Sequence, residues 1–231
     1  MRFTSRLAAA AIAATSLHAQ VLEVDASSRE WQRFQQSQKG DWTAVWSPAT
    51  GTPAAIYGEG IRLQEGPIAT EALARHHSEA TLRRFATLIG QGRSEFVESI
   101  AGKMNQTWVF VYDQKFQGLE VLGGRADIRI NDVGVLALFG ATAFQIPAGF
   151  SVEPTVAPSV ARLSAYAREG VTPSNSIVAK KSERLVIWAD ATRKTRSPIF
   201  LAWEVRVKGG SKYGRSYINA HNGQFIEYQS D

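Results

Sequence analysis

The 231-residue sequence contains no cysteine. No disulfide can therefore cross-link the chain, and no thiolate is available as a nucleophile or a metal ligand. Stability must come from the burial of apolar side chains.

The sequence also lacks His-Glu-x-x-His, the helical zinc-binding pattern of many metallopeptidases. Its four histidines are His18, His76, His77 and His221. Adjacent helical residues such as His76 and His77 point about 100° apart and do not readily share a metal ion. We therefore expect no metal site and a surface position for this pair.

Other catalytic patterns are missing as well. Gly102-Lys103 is followed by Met104 and lacks the upstream glycine of a phosphate-binding loop, and there is no Gly-x-Ser-x-Gly. The sequence thus predicts a protein that is not an enzyme and has no cofactor. The alternative, an enzyme without a recognised motif, predicts a deep pocket with convergent polar groups.

Long hydrophobic runs are absent except near the start. The run from Leu7 to Leu17 is too short to span a bilayer, which takes about 20 residues. Arg2 and Arg6 precede it, and Ala19 follows it. This order predicts a signal peptide over residues 1–19, cut within a residue or two of Ala19, and a secreted or periplasmic location. A membrane anchor is the alternative, and we expect no stable membrane insertion.

The positive charge is modest. The net charge of +5 includes Arg2 and Arg6, so the part after the signal peptide carries +3. Nucleic-acid-binding proteins usually concentrate a larger excess on one face, and we expect no nucleic-acid partner. The densest basic cluster is Arg193, Lys194 and Arg196. It is interpreted as a solvated hairpin loop, with a phosphate or membrane patch as the alternative.

Residues 20–67 show little periodicity and many turn-forming residues. We expect an irregular leader that packs tryptophans onto the rest of the protein. Only Trp42–Trp46 alternates well enough to predict a strand.

Residues 68–150 predict a first lobe. A helix is expected to begin after Thr70 and to end before Gly90, burying a stripe at helical spacing. That stripe is Leu82, Phe85, Ala86 and Ile89. Three strands follow, predicted over residues 107–112, 126–130 and 135–139.

Residues 151–231 predict a second lobe that repeats this order. Its helix ends at Gly170 and is expected to bury Val156, Val160, Leu163 and Ala167. Strands are predicted over residues 184–189, 200–207, 215–218 and 225–228. Asn222-Gly223 predicts a type I′ turn, in which both residues adopt positive φ.

Helices followed by groups of strands predict an α+β fold of two lobes, each a helix packed on an antiparallel sheet. This order does not favour a parallel βαβ sheet with a nucleotide site.

The segment from Val111 to Gly134 resembles the propeptide motif of fungalysin-like and thermolysin-like metalloproteases. The residues that carry the resemblance are Gln114, Phe116, Gly118, Val121, Gly123 and Gly124. Glu120 departs from it, since proline is frequent there.

The second lobe resembles a PepSY domain, through the strand from Ile199 to Val207 and a closing hairpin that contains Asn219, Ala220 and Gly223. Asn219 stands where aspartate is usual. The two modules in this order are the arrangement of such propeptides, and the resemblance implies their cystatin-like fold.

The resemblance implies the proregion of a secreted zinc metalloprotease, acting as intramolecular chaperone and inhibitor of a catalytic domain in cis. The sequence ends at Asp231, where such a proregion would join its protease. The alternative is a free-standing exported module that binds or inhibits a protease in trans. Because extended segments add to protease clefts as strands, Ile226, Tyr228 and Gln229 are the predicted contacts.

Overall fold

The computed structural model describes residues 26–172 and 183–231. The predicted signal peptide and its cleavage position lie outside the described residues. Within them the protein has the predicted α+β fold, with three helices and ten strands. The helices are α1 (residues 26–37), α2 (Glu71–Arg84) and α3 (Pro158–Glu169). The strands are β1 (Trp42–Trp46), β2 (Pro53–Arg62), β3 (Glu95–Met104), β4 (Thr107–Phe116), β5 (Leu119–Asn131), β6 (Val135–Thr142), β7 (Glu183–Trp188), β8 (Phe200–Gly209), β9 (Lys212–Asn219) and β10 (Phe225–Ser230).

The chain divides into two compact units. Among the described residues, the first unit contains 26–116, 123–150 and 190–197. The second contains 117–122, 151–172, 183–189 and 198–231. Strand β5 therefore contributes its first residues to the second unit and the rest to the first.

In the first unit, β1, β2, β6, β5, β4 and β3 are hydrogen-bonded in that order. The pairs β1–β2, β2–β6, β5–β6 and β3–β4 are antiparallel. Alternating residues of the central strands, such as Phe110, Ile128 and Phe139, are fully or almost fully buried. Helix α1 adds Phe34 to the same core, and α2 adds Leu82. The two helices thus cover the apolar side of the sheet.

The structure differs from the expected irregular leader over residues 20–67. Its described part holds helix α1 and the ten-residue strand β2, besides the predicted strand β1. Phe34 packs with ring centroids 5.5 Å from Trp31 and 5.0 Å from Trp42. Contacts between these aromatic rings thus hold the helix in place. The helix has too few apolar residues to show a helical hydrophobic pattern in the sequence.

Helix α2 begins as predicted, since the backbone N–H of Leu73 donates to Thr70 Oγ1 at 3.3 Å. It ends at Arg84, six residues before Gly90, and turns connect the two. Leu82 and Ile89 are buried while Phe85 is half-buried, so the expected apolar stripe continues beyond the helix. Strand β3 was not predicted. Most of its side chains are exposed, so its sequence shows no alternation between buried and exposed residues.

In the second unit, β7, β8, β9 and β10 form an antiparallel sheet in chain order, and Val121 of β5 pairs in parallel with Ile187 of β7. These are the predicted strands. Helix α3 covers one face of β8 and β9, where Val205, Val207 and Ile218 are buried.

The predicted buried stripe of α3 is wrong. The helix turns Ala161, Ala165 and Tyr166 towards the sheet, while Val160 and Leu163 are 55% and 59% exposed. Ala167 is exposed too, and Val156 is half-buried. Alanines let the helix backbone approach the sheet more closely than valine or leucine would, and that fit decides the rotation. The predicted end is confirmed, with Gly170 at φ 68°.

The type I′ turn at Asn222-Gly223 is also wrong, because only Gly223 has a positive φ, of 75°. The loop is longer. Asn219 N–H donates to the Gln224 carbonyl at 2.8 Å, and Gly223 N–H donates to the Asn219 carbonyl at 2.9 Å. The Asn219 side chain competes with the two-residue turn by accepting hydrogen bonds inside the loop.

The basic cluster lies in a loop, as expected. Arg193, Lys194 and Arg196 are all exposed in the connection from β7 to β8. Among the described residues, no helix is long and apolar enough to cross a bilayer.

Candidate functional site

The predicted contact residues Ile226, Tyr228 and Gln229 all belong to β10. This strand pairs with β9, and in the described part of the chain its other edge has no neighbour. Its outer N–H and C=O groups can therefore pair with an extended segment of another chain. Their role as contacts remains a prediction.

A β-bulge in β10 places Ile226 and Tyr228 on opposite faces of the sheet. The register shifts between Phe225 and Glu227, and Ile226 packs with Val186, Trp188 and Tyr217 on the sheet face opposite α3. Tyr228 packs on the α3 side. Ile226 and Tyr228 are half-buried, whereas Gln229 is exposed. The first two therefore anchor the strand, and Gln229 is the most accessible of the three.

An ion-paired cluster lies on the face opposite α3. Arg184 of β7 donates to both oxygens of Glu204 on β8, at 2.7 Å and 2.9 Å. It also pairs with Glu120 on β5. Hydrogen bonding to Glu204 raises the pKa of Arg184 above its ordinary value, so the guanidinium stays charged. Glu204 is only 9% exposed, and Arg184 compensates its buried charge.

Tyr217 connects this cluster to β10. Its hydroxyl lies 3.3 Å from Glu204 Oε2 and 3.2 Å from Gln229 Oε1. Burial, together with the negative charge of Glu204, raises the pKa of Tyr217 to about 12. The hydroxyl is thus a neutral hydrogen-bond donor at any physiological pH.

The network ends at Trp188. Gln229 Nε2 donates to Glu227 Oε2 at 3.0 Å, and the same oxygen accepts from Trp188 Nε1 at 3.2 Å. Side chains of five strands are therefore linked across one sheet face. We call Glu120, Arg184, Trp188, Glu204, Tyr217, Glu227 and Gln229 the cross-strand network. It fixes the edge strand β10 in place.

The motif residues of the closing hairpin shape the backbone. Asn219 Oδ1 accepts from the N–H groups of His221 and Asn222. Ala220 is fully buried, donates its N–H to the Leu201 carbonyl, and accepts from Thr155 and Val156. With Gly223 these residues set the position at which β10 starts.

Three further motif residues, Phe116, Gly118 and Val121, lie in or between β4 and β5. Phe116 is buried under Arg93, whose guanidinium lies 5.4 Å from the ring centroid. Gln117 and Gly118 have φ 50° and 80° and form the two-residue turn from β4 to β5. Val121 is buried beside Ile187.

Gln114 and Gly124 lie together in the first unit. Gln114 is fully buried, and its amide bonds Ser94 Oγ and the backbone of Phe144. A Cβ on Gly124 would lie 2.4 Å from Gln114 Oε1, so the glycine makes room for this amide. A Cβ on Gly123, which has φ 72°, would lie 3.1 Å from Ala191 Cβ.

Among residues 26–172 and 183–231, no three His, Cys, Asp or Glu residues are close enough to hold a metal ion. A groove of about 540 Å³ on the first unit is lined by Met104, Asn105, Gln106, Thr107, Val109, Arg129, Ala137 and Leu138. Its one cation, Arg129, is bonded to Asp127. No nucleophile faces a base in this groove.

Sequence reasoning missed the cross-strand network as a site. Arg184 and Glu204 are 20 residues apart in the chain and meet only because β7 and β8 pair in this register. The alternation of charged residues in two neighbouring strands was the available indication.

No protein-family model and no curated protein matches the sequence. Among solved structures, the chain is similar to the C-terminal domain of Bacillus megaterium YpeB, with a TM-score of 0.38 and 12% identity over 90% of this chain and 95% of that one. It is also similar to a candidate lipoprotein of Clostridium difficile 630, with a TM-score of 0.22 and 6% identity over 75% of this chain and 99% of that one.

Proposed function

We propose that this protein is an exported, non-catalytic binding module of the metalloprotease-propeptide type, with one unit like the fungalysin/thermolysin propeptide (FTP) domain and one PepSY-like unit. It inhibits a secreted zinc metallopeptidase and assists its folding. The observation that carries the proposal is the outer edge of β10, which has no strand neighbour among the described residues and whose position is fixed by the cross-strand network.

The edge suits this role physically. Its six residues contain no lysine or proline, the residues that commonly block edge-to-edge pairing. Ile226 and Tyr228 are held by packing on opposite faces, so little conformational entropy is lost when a partner strand pairs with them. A peptidase cleft that binds substrates as extended strands would accept such an edge.

Site-specific photo-crosslinking tests this contact. The exported chain is produced with a photoreactive phenylalanine analogue at Ser230, an exposed β10 residue outside the cross-strand network, or, as the matched control, at Thr43 on edge strand β1. Each is mixed with culture fluid whose proteolysis is blocked by a zinc chelator and restored by zinc. We expect inhibition of that activity, and a crosslink from residue 230 alone to a protein containing His-Glu-x-x-His. Equal crosslinking from residue 43, or no inhibition, would contradict the proposal.

The gene sequence after the codon for Asp231 distinguishes a proregion attached to its protease from a free-standing module that acts in trans. A reading frame that continues past Asp231 into a sequence with His-Glu-x-x-His supports an attached proregion. A stop codon directly after Asp231 supports the free-standing module, provided that the inhibition is observed.

A further inference from the structure

The hairpin of β8 and β9 carries an unusual concentration of positive charge. From Val205 to Ile226 the sequence has no acidic residue and four basic ones. These are Arg206, Lys208, Lys212 and Arg215. The hairpin projects them at the end of the second sheet, around a tight turn at Gly210 and Ser211.

Strand register places two of these cations directly opposite each other. Arg206 pairs with Arg215, and Lys208 pairs with Tyr213. The four side chains of these two pairs, Arg206, Arg215, Lys208 and Tyr213, lie on the face opposite α3. Val205 and Val207, at the alternate positions of β8, pack in the α3 core. Like charges directly opposite on neighbouring strands repel each other. An anion between them would convert this repulsion into attraction.

The charges differ in how far the protein itself neutralises them. Arg215 lies 3.4 Å from Asp231, and Lys212 lies 3.1 Å from Glu169 on the other face. Arg206 and Lys208 are exposed, and within the described ranges neither forms an ion pair. Two cations without an ion pair in the described part of the chain thus lie beside a third, on the same face as Glu204, Glu227 and Asp231.

The end of the hairpin also carries an exposed aromatic ring. Tyr213 is 46% exposed, and Lys208 Nζ lies 5.6 Å from its ring centroid. Gly210 has φ 57°, and no atom lies within 4 Å of where its Cβ would be. Tyrosine prefers the headgroup region of a membrane, next to basic side chains.

We propose that this face of the hairpin, formed by Arg206, Lys208, Tyr213 and Arg215, docks on the surface of an anionic phospholipid bilayer. The guanidinium pair binds lipid phosphates, for which the planar fork of arginine is well matched. Tyr213 rests among the headgroups without spanning the bilayer. The proposal is independent of peptidase binding, which uses the β10 edge.

Vesicle sedimentation tests the docking. The exported chain, with its N-terminus determined by mass spectrometry, is mixed with vesicles of phosphatidylcholine alone or with 30% phosphatidylglycerol. We expect binding only to the anionic vesicles, and release when sodium chloride rises from 0.05 M to 0.5 M. Equal binding to both vesicles would overturn the proposal.

Matched variants locate the surface. Each basic residue near an anionic membrane contributes about fivefold in affinity, so R206Q/K208Q should bind about 25-fold more weakly. The control K39Q/R83Q removes the same charge from exposed positions in the first unit and should change binding less than about threefold. Equal loss in both variants would show a general charge effect and overturn the assignment.

Two further measurements keep the result decisive. Circular dichroism spectra and thermal midpoints of both double variants should match the parent, and K208Q alone replaces R206Q/K208Q if they do not. Soluble polyphosphate distinguishes the phosphate sources. Binding to polyphosphate without binding to anionic vesicles would overturn the membrane assignment in favour of a phosphate polymer.

Discussion

Gln114 and Phe144 exchange two hydrogen bonds, with Gln114 Nε2 donating to the Phe144 carbonyl at 2.7 Å and Phe144 N–H donating to Gln114 Oε1 at 2.9 Å. The side-chain amide thus pairs with the backbone after β6 as a neighbouring strand would. The same Nε2 donates to Ser94 Oγ at 2.8 Å. One fully buried glutamine therefore connects three separate segments of the first unit.

Replacing Gln114 by alanine should destabilise the protein by about 3 kcal/mol or more. The change leaves a buried carbonyl, N–H and hydroxyl without their partner and opens a cavity. Urea unfolding followed by tryptophan fluorescence measures the effect. Gln36→Ala, at an exposed position of α1, is the control and should change stability by less than about 0.5 kcal/mol. Similar values for both variants would contradict the structural role of Gln114.

Gly124→Ala should destabilise through the same amide. Its Cβ would lie 2.4 Å from Gln114 Oε1 and 2.7 Å from Gln114 Cβ, so the buried side chain must move. We expect a loss of about 1–3 kcal/mol. Gly102→Ala on β3 is the matched control, because nothing lies within 4 Å of its Cβ.

A double-mutant cycle makes this test specific. If the clash is with Gln114, the two substitutions overlap, and Gly124→Ala/Gln114→Ala loses less stability than the sum of the single variants. Strict additivity would show that Gly124 acts on something other than this amide.

The strands with clear alternation could be predicted from the sequence. In β4, Trp108, Phe110 and Tyr112 alternate with smaller or more polar residues, and in β8 the same holds for Val205 and Val207. Each repeat of period two matches one buried face, so local pattern and tertiary burial agree. The N-cap at Thr70 was predictable for the same reason, since its chemistry is local.

Two features were not predicted correctly, helix α1 and the buried face of helix α3, because both depend on residues outside their own segments. Helix α1 is fixed by contacts of Phe34 with distant rings such as Phe85 and Phe139, at 5.6 Å and 5.7 Å. Helix α3 buries alanines, although Val160 and Leu163 formed the stronger apolar pattern. In both cases the shape of the opposing sheet decides the packing.

The candidate site was predictable only in part. The hairpin from Asn219 to β10 follows from its turn residues, although its turn type does not. The cross-strand network depends on the registers of β7, β8, β9 and β10, which place Arg184, Glu204 and Tyr217 side by side. Register is a property of paired strands, and a single strand's sequence does not determine it.

Stability should fall at alkaline pH through Tyr217. Its folded pKa of about 12 exceeds the ordinary value of 10.0, because burial and Glu204 favour the neutral phenol. The resulting stabilisation is fully present below about pH 10 and is lost as the pH rises towards about 12. Burial also raises the pKa of Tyr112, so both tyrosines contribute to the decline.

Tyr217→Phe should therefore show a shallower loss of stability between pH 9 and pH 11.5 than the parent, measured as the urea midpoint at each pH. Its stability at pH 7 should be slightly lower, because the hydrogen bonds to Glu204 and Gln229 are gone. Tyr57→Phe, at an exposed tyrosine, is the control. An identical alkaline slope in Tyr217→Phe and the parent would contradict the prediction.

Two buried serines should respond in opposite directions to the loss of their hydroxyl groups. Ser216 Oγ is buried and has no hydrogen-bond partner among the described residues. Ser78, equally buried, lies with its Oγ 2.8 Å from the Tyr112 hydroxyl. A buried hydroxyl without a partner costs free energy, whereas a bonded one stabilises.

Ser216→Ala should thus raise the free energy of unfolding by up to about 1 kcal/mol, and Ser78→Ala should lower it by about 1–2 kcal/mol. The two substitutions remove the same atom from equally buried positions, so loss of volume affects them alike. Differential scanning calorimetry gives both values from one instrument. A lower midpoint for Ser216→Ala, close to that of Ser78→Ala, would mean that the Ser216 hydroxyl stabilises the folded chain through a hydrogen bond of its own.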